Sequence, residues 1–188
     1  MKEHSNPSDT PHPDLKKEIF EWIKIIVAAA AIALFLNTCI IANSRVPSPS
    51  MENTIMTKDR ILGSRLAYRM GGQPQRGDIV IFHHKTEPGK DETRLVKRII
   101  GLPGETVDIR GNQIYINQSE EPLDEPYLAE PMVTDDRTFQ VPEGCYLMLG
   151  DNRNLSMDAR SWSDPYVPKA DISAKVLFRY FPWPKTLK

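Results

Sequence analysis

Cysteine is nearly absent from the 188-residue sequence: Cys39 lies inside an apolar run and Cys145 far downstream. No disulfide framework is available, so the fold must be held by its core. Histidine is equally scarce. His4 and His12 fall in a polar tail and His83-His84 are adjacent, with no His-x-x-x-His and no Cys-x-x-Cys anywhere. Metal-ligand spacing is therefore missing, and His83 and His84 read as exposed loop residues. Glycine is outnumbered by proline, 10 to 16, which favours a loop-rich β protein over a helical one. Neither charge sign is in excess. A formal net charge of -1 gives no bulk pull toward nucleic acid. No internal repeat and no nucleotide-type glycine loop occurs. The expectation is a protein without metal, cofactor or nucleic-acid partner.

Long apolar runs are also rare, with one exception. Residues 25–41 read IIVAAAAIALFLNTCII, without a charge. At about 1.5 Å per residue this helix would span some 26 Å, close to the hydrocarbon thickness of a bilayer. Trp22 suits the headgroup level and Lys24 can extend outward. A cleaved signal peptide is the competing reading, because Ala42-Asn43-Ser44 resembles a small-x-small cleavage site. The run is longer than a usual signal-peptide core and about twenty mostly polar residues precede it, which favours an uncleaved anchor. Whether the chain is cut after Ser44 stays open. Residues 1–15, polar and carrying Pro7, Pro11 and Pro13, read as a disordered cytoplasmic tail. Residues 16–43 read as a transmembrane helix with flanks. Lys2, Lys16, Lys17 and Lys24 outnumber Arg45 and Lys58 beyond the run, so the N-terminus is expected in the cytoplasm. Residues 44–188 then form an extracytoplasmic domain of a single-pass protein of the cell membrane.

That domain reads as β throughout. Arg60 to Tyr68 alternates imperfectly. Residues 78–82, 94–100, 144–149 and 174–181 carry apolar strand patterns. Glu105 to Asn117 is a hairpin closed by a two-residue Gly111-Asn112 loop. Glu120 to Arg137 is acidic and aperiodic, a loop or small excursion inside a short insertion around 110–143. Strands joined by short connections imply a mainly β fold, an antiparallel barrel or sandwich-like domain behind the helix.

Chemistry concentrates in three stretches. Immediately after the anchor comes Val46-Pro-Ser48-Pro-Ser50-Met51. Alternating prolines fix φ and exclude a continuing helix or a central strand, so Ser48 and Ser50 are presented on one side of an extended segment, or the stretch is a plain linker. A serine hydroxyl is a weak nucleophile and needs a base. Lys97 qualifies if burial keeps it unprotonated; taken in isolation, it reads first as an edge-strand lysine guarding against aggregation. In a strand Lys97 and Arg98 point to opposite faces, so one of the two cations is expected inward. The third stretch is Gly150-Asp-Asn-Arg-Asn-Leu-Ser156-Met-Asp158-Ala-Arg160.

Taken together, Ser50-Met51 with Thr54, Gly77-Asp78-Ile-Val-Ile-Phe82, Lys97-Arg98-Ile-Ile-Gly-Leu-Pro-Gly-Glu105, and Gly150-Asp-Asn-Arg153 with Ser156, Asp158 and Arg160 resemble the ordered boxes of bacterial type I signal peptidases. The resemblance runs from the anchor almost to the C-terminus. It implies a signal-peptidase-type catalytic domain, with Ser50 as nucleophile and Lys97 as general base. It implies Ser48 with the Ser50 N–H in the oxyanion hole, Ser156 orienting the lysine amine, and Asp158 with Arg160 as a supporting ion pair. Val46, Met51 and Val96 are implied as walls of the subsites for small −1 and −3 side chains. Implied partners are the signal peptides of secreted preproteins, the lipid bilayer and the protein-export machinery. The family commonly has Pro where Asn53 stands and Thr-Leu where Thr54-Ile55 stand; Asn also suits turns. Two rivals remain: an inactive membrane-anchored β module that binds exported proteins, and a soluble self-cleaving repressor domain with a Ser/Lys pair. The anchor and the lack of a basic helix-turn-helix count against the second.

Overall fold

A computed structural model describes residues 15–89 and 91–187. The proposed tail, with His4 and His12, lies outside the described residues except for Leu15. The chain divides into two compact units, Met1–Thr38 and Cys39–Lys188.

In the first unit, α1 (Leu15–Phe35) has no buried residue although its side chains are mostly apolar. A helix that is apolar all round is stable in lipid or in a large core. With its following turn it is long and apolar enough to cross a membrane. Thr38 Oγ1 donates to the Leu34 carbonyl at 2.7 Å, and the backbone widens into a π-helical turn over Leu36–Ile40. The apolar run therefore outlasts the α-helix, and its last residue, Ile41, already belongs to a strand.

Among its described residues the second unit carries eleven strands in two antiparallel sheets. They are β1 (Ile41–Arg45), β2 (Arg60–Ser64), β3 (Ile79–His84), β4 (Thr93–Gly101), β5 (Thr106–Arg110), β6 (Gln113–Ile116), β7 (Arg137–Gln140), β8 (Cys145–Leu149), β9 (Tyr166–Pro168), β10 (Ile172–Phe181) and β11 (Lys185–Thr186). The large sheet runs β1-β2-β10-β3-β4-β8-β9, with β11 added on β10; the small one runs β6-β5-β7. A mainly antiparallel β fold behind an apolar helix is thus what forms.

The strand patterns explain the layers. In β3, Ile79 and Ile81 face one core and Val80 and Phe82 the other, because side chains alternate across a strand. The first core gathers Ala42, Val46, Met51, Ile55, Ile61, Ile79, Ile81, Ala174 and Val176, with Val96 packed against it. β1 and β4 are separated by three strands in the sheet order, yet Arg94 Nη2 of β4 donates to the Asn43 carbonyl of β1 at 3.1 Å. The sheet therefore curls until its first edge faces β4, an open barrel. The second core fills the outer face, where Val80, Phe82, Ile99, Leu147 and Leu149 meet Val107, Ile109, Ile114 and Phe139 of the small sheet. The hairpin turn is of the two-residue kind, with Arg110 opposite Gln113 and both Gly111 (φ 55) and Asn112 (φ 64) left-handed. That geometry matches the twist of the flanking strands and is why Gly-Asn occupies it.

Two expectations are corrected here. Arg60 to Tyr68 is not one strand, since β2 ends at Ser64 and Leu66–Arg69 form a single helical turn, α2. His83 and His84 are not loop residues either. They end β3, and His84 is buried with its ring 4.5 Å from Trp162. Its Nε2 lies 2.9 Å from the Asp164 carbonyl, a partner far along the chain that local sequence does not signal.

Candidate active site

The serine segment is not extended throughout. Ser48 is extended (φ -130, ψ 158) and caps a 3-10 turn over Pro49–Met51. Pro49 stands at the first position of that turn, where its fixed φ is pre-set and its missing N–H costs nothing. The turn brings Ser48 Oγ and Ser50 Oγ to 3.4 Å. It buries Met51 completely and leaves Ser50 nearly so. Asn53 follows at φ 75, a value proline cannot adopt, so the departure from the family's usual Pro is matched by a different backbone.

Lys97 approaches this turn from β4, in register with Val80 of β3. It is 3% exposed, and among the described residues no carboxylate lies at ion-pair distance from it. Burial lowers its pKa to about 8; the charge of Asp158 opposes the shift, Arg160 adds to it and Asp151 opposes it. Val46, Ser48, Ser50, Met51, Val96 and Lys97 line one cavity of about 180 Å³. Beyond Lys97 the β4 edge turned away from β3 is unpaired, since pairing with β8 begins only at Arg98. β1 likewise has a free edge. Between them is a slot walled by two unpaired backbones, the geometry in which an extended peptide adds as a strand.

Loop 150–160 clasps the turn from behind. Asn152 N–H donates to the Ser50 carbonyl and Asn152 Nδ2 to the Pro49 carbonyl, each at 3.1 Å. Gly150 is packed so closely that a Cβ there would collide with Ser156 Oγ and the Ser50 carbonyl, which explains the absence of a side chain. Ser156 Oγ is buried and among the described residues has no hydrogen-bond partner; it is not bonded to Lys97. Asp158 accepts from Arg160 Nε and Nη2, both at 2.8 Å, and from the Gly150 N–H at 3.0 Å. Neither Asp158 nor Arg160 lines the cavity.

Arg98 was the residue that sequence reading undervalued. Both neighbouring cations are buried, not one, because β4 has a core on each side. Arg98 is 2% exposed. It donates to Asp151 through Nε (2.8 Å) and Nη2 (2.7 Å), and its guanidinium carbon lies 3.9 Å from the centre of the Tyr127 ring. Asp151 also accepts from Thr54 Oγ1 at 2.5 Å, tying the turn after Ser50 to β4. Arg153 pairs with Glu125 at 2.5 Å, anchoring the loop that the sequence marked as aperiodic. The only signal for these pairs was the Gly-Asp-Asn-Arg run itself. Among the described residues, no group of three or more His, Cys, Asp or Glu is placed to hold a metal ion.

An anchored β domain with a half-closed serine turn, a buried lysine and a slot for an extended chain has the features of a membrane peptidase. The family described as signal peptidase, peptidase S26, matches residues 19–183. The chain belongs to that family and is a signal peptidase, an enzyme that removes signal peptides, and the apolar helix α1 with its following turn fits a membrane-anchored protein. It is 35% identical to signal peptidase I of Leptolyngbya laminosa over 90% of this chain and 83% of that one. It is also 35% identical to signal peptidase I S of Bacillus subtilis, over 89% and 92%. A solved signal peptidase I from Enterococcus faecalis V583 shares 38% identity, covers 55% of this chain and 96% of that one, and superposes with a TM-score of 0.46.

Proposed function

We propose that this chain cuts preproteins after a small-x-small motif as a serine endopeptidase, with Ser50 as nucleophile and Lys97 as general base. The observation that carries the reading is the shared cavity of Ser50 and a buried Lys97 that lacks a carboxylate partner. Ser50 Oγ attacks the carbonyl carbon of the −1 residue while the neutral Lys97 amine takes its proton. The oxyanion accepts hydrogen bonds from the Ser50 N–H and the Ser48 hydroxyl. Lys97 then gives its proton to the leaving amine, and an ester on Ser50 remains. Lys97, neutral again, takes a proton from water, whose oxygen attacks the ester and frees Ser50.

Ser156 is a positioning residue in this reading. Its orphaned hydroxyl, packed against Gly150 beside the Ser50 carbonyl, supports a role in orienting the lysine amine. Asp158 and Arg160 hold the loop that carries it. Val46, Met51 and Val96, which line the same cavity, are assigned to the walls of subsites that take small side chains at −1 and −3. The residues before α1 are assigned to the cytoplasm, the apolar helix Leu15–Ile40 to the bilayer and the sheet domain from β1 onward to the outside, facing substrates delivered by the export machinery; the lysine distribution supports this orientation. The inactive-module reading has no observation in its favour. The test is cleavage of a preprotein in detergent by wild type and Ser50→Ala: cleavage lost in the variant is expected, and cleavage retained would refute the assignment.

A further inference from the structure

We infer that the far end of the peptide slot is a charge filter: Arg94 and Arg45, reinforced by Arg65, select an acidic residue upstream of the −3 position of the preprotein. The inference rests on the cleavage reading above, which sets the direction in which the substrate lies. Beyond Val46 and Val96 the cavity wall continues through Ser44, Arg45, Arg94 and Leu95. Arg45 and Arg94 are exposed and Arg65 is half-buried. Among the described residues, none of the three forms an ion pair with a carboxylate. Arg65 Nε donates to the Ile41 carbonyl at 3.2 Å, and Arg94 Nη2 to the Asn43 carbonyl at 3.1 Å. Desolvation and then the charge of Arg65 pull the Arg94 pKa below its ordinary value. Arg76, Arg98, Arg153, Arg160 and Arg179 of the second unit, all buried or half-buried, each hold a carboxylate, whereas the half-buried Arg65 holds none and has Arg94 as a like-charged neighbour.

The arginine bridge also lies in the path of the substrate. Arg94 spans from β4 to a backbone carbonyl of β1, across the gap that an added strand would fill. A peptide pairing there displaces the guanidinium from that carbonyl. A glutamate on the peptide offers a carboxylate in exchange, and a charge-assisted bidentate bond is stronger than one to a neutral carbonyl. A lysine there meets three guanidiniums instead. Val96 and Arg94 are two residues apart on one strand face, so an extended substrate places positions about two residues beyond −3, in the range −4 to −6, beside Arg94.

The test uses the full-length protein in detergent and peptides with Ala at −1 and −3 that differ only in Glu, Gln or Lys at each position from −4 to −6. At low salt, kcat/KM for Glu over Lys should be roughly 3- to 30-fold at one of these positions, as for a partly exposed ion pair exchanged for a repulsion, and should shrink at high salt. The ratio should approach one in R45Q/R94Q and invert in R94E. A wild-type ratio near one at all positions overturns the inference, as does a ratio that survives in both variants. Failure of the wild type to cut even the Gln peptide would instead strike the cleavage reading, and this inference with it.

Discussion

Lys97 and Arg98 are adjacent, both are buried cations on β4, and their surroundings are opposite. Arg98 faces Asp151 and the Tyr127 ring and is fully compensated. Lys97 faces the cavity of Ser50 with no carboxylate at ion-pair distance, and its pKa falls to about 8. A guanidinium cannot give up its proton at working pH, whereas a desolvated ammonium can. One strand thus carries a fixed charge that holds loop 150–160 in place and, one residue earlier, a removable charge suited to chemistry.

The comparison breaks most severely at the cavity. Ser50→Ala and Lys97→Ala should each lower turnover by about 10⁴-fold or more, and the double variant should lose little beyond either single one. Lys97→Arg should be as inactive, and preprotein turnover assays decide it. Substantial cleavage by Lys97→Arg would remove Lys97 from the role of base.

On the Arg98 side the expected loss is stability. Arg98→Met strands Asp151 as a buried carboxylate and should cost about 3–5 kcal/mol in denaturant unfolding of the second unit. Arg98→Met combined with Asp151→Leu should recover much of that loss. A near-zero cost for the single variant would mean that the pair is not desolvated.

Next comes Ser48→Ala, which under the proposed mechanism removes one oxyanion donor and leaves the proposed nucleophile and base intact. Turnover should fall about 10²–10³-fold with KM nearly unchanged, and Ser48→Thr should retain much of the activity. Equal behaviour of Ala and Thr would deny Ser48 the role.

The smallest effect concerns the stability cost of Lys97. Its folded pKa, about 8, lies below the ordinary 10.5, so the unfolded chain binds the proton more tightly. Above about pH 10.5 neither state is protonated and nothing is lost. Stability then falls as pH drops toward 8, and below that the full cost, about 3 kcal/mol at most, is present. Lys97→Met should therefore be more stable than wild type at pH 7, with the gap closing by pH 10.5. Equal stability across that range would place Lys97 in water.

How much of this was legible beforehand follows from the range of each interaction. The hairpin at Gly111-Asn112 and the strands of β3, β4, β8 and β10 are local patterns of period and turn chemistry, and they were readable. Ser50 and Lys97 were readable as a set only because several boxes recur in order. The 3-10 turn at Pro49–Met51 is not legible in the sequence, since Pro suits both an extended segment and the first position of a turn. The double burial of Lys97 and Arg98 was not visible, because it depends on Asp151, 53 residues downstream of Arg98, and on a second sheet covering the outer face of β4. His84 was missed for the same reason: Trp162 and Asp164 reach it from the far side of the sequence.

The central claim is that Lys97 is neutral when Ser50 attacks, and the most direct measurement is the titration of Lys97 itself. Nitrogen-15 NMR of the lysine side chain in full-length Ser50→Ala protein in detergent, with Lys97→Met to assign the signal, follows its Nζ. A midpoint near pH 8, matched by a fall in wild-type kcat/KM below the same pH, is the predicted result. A midpoint near 10.5 would contradict it, because the amine would then be charged throughout the working range and could not accept the serine proton.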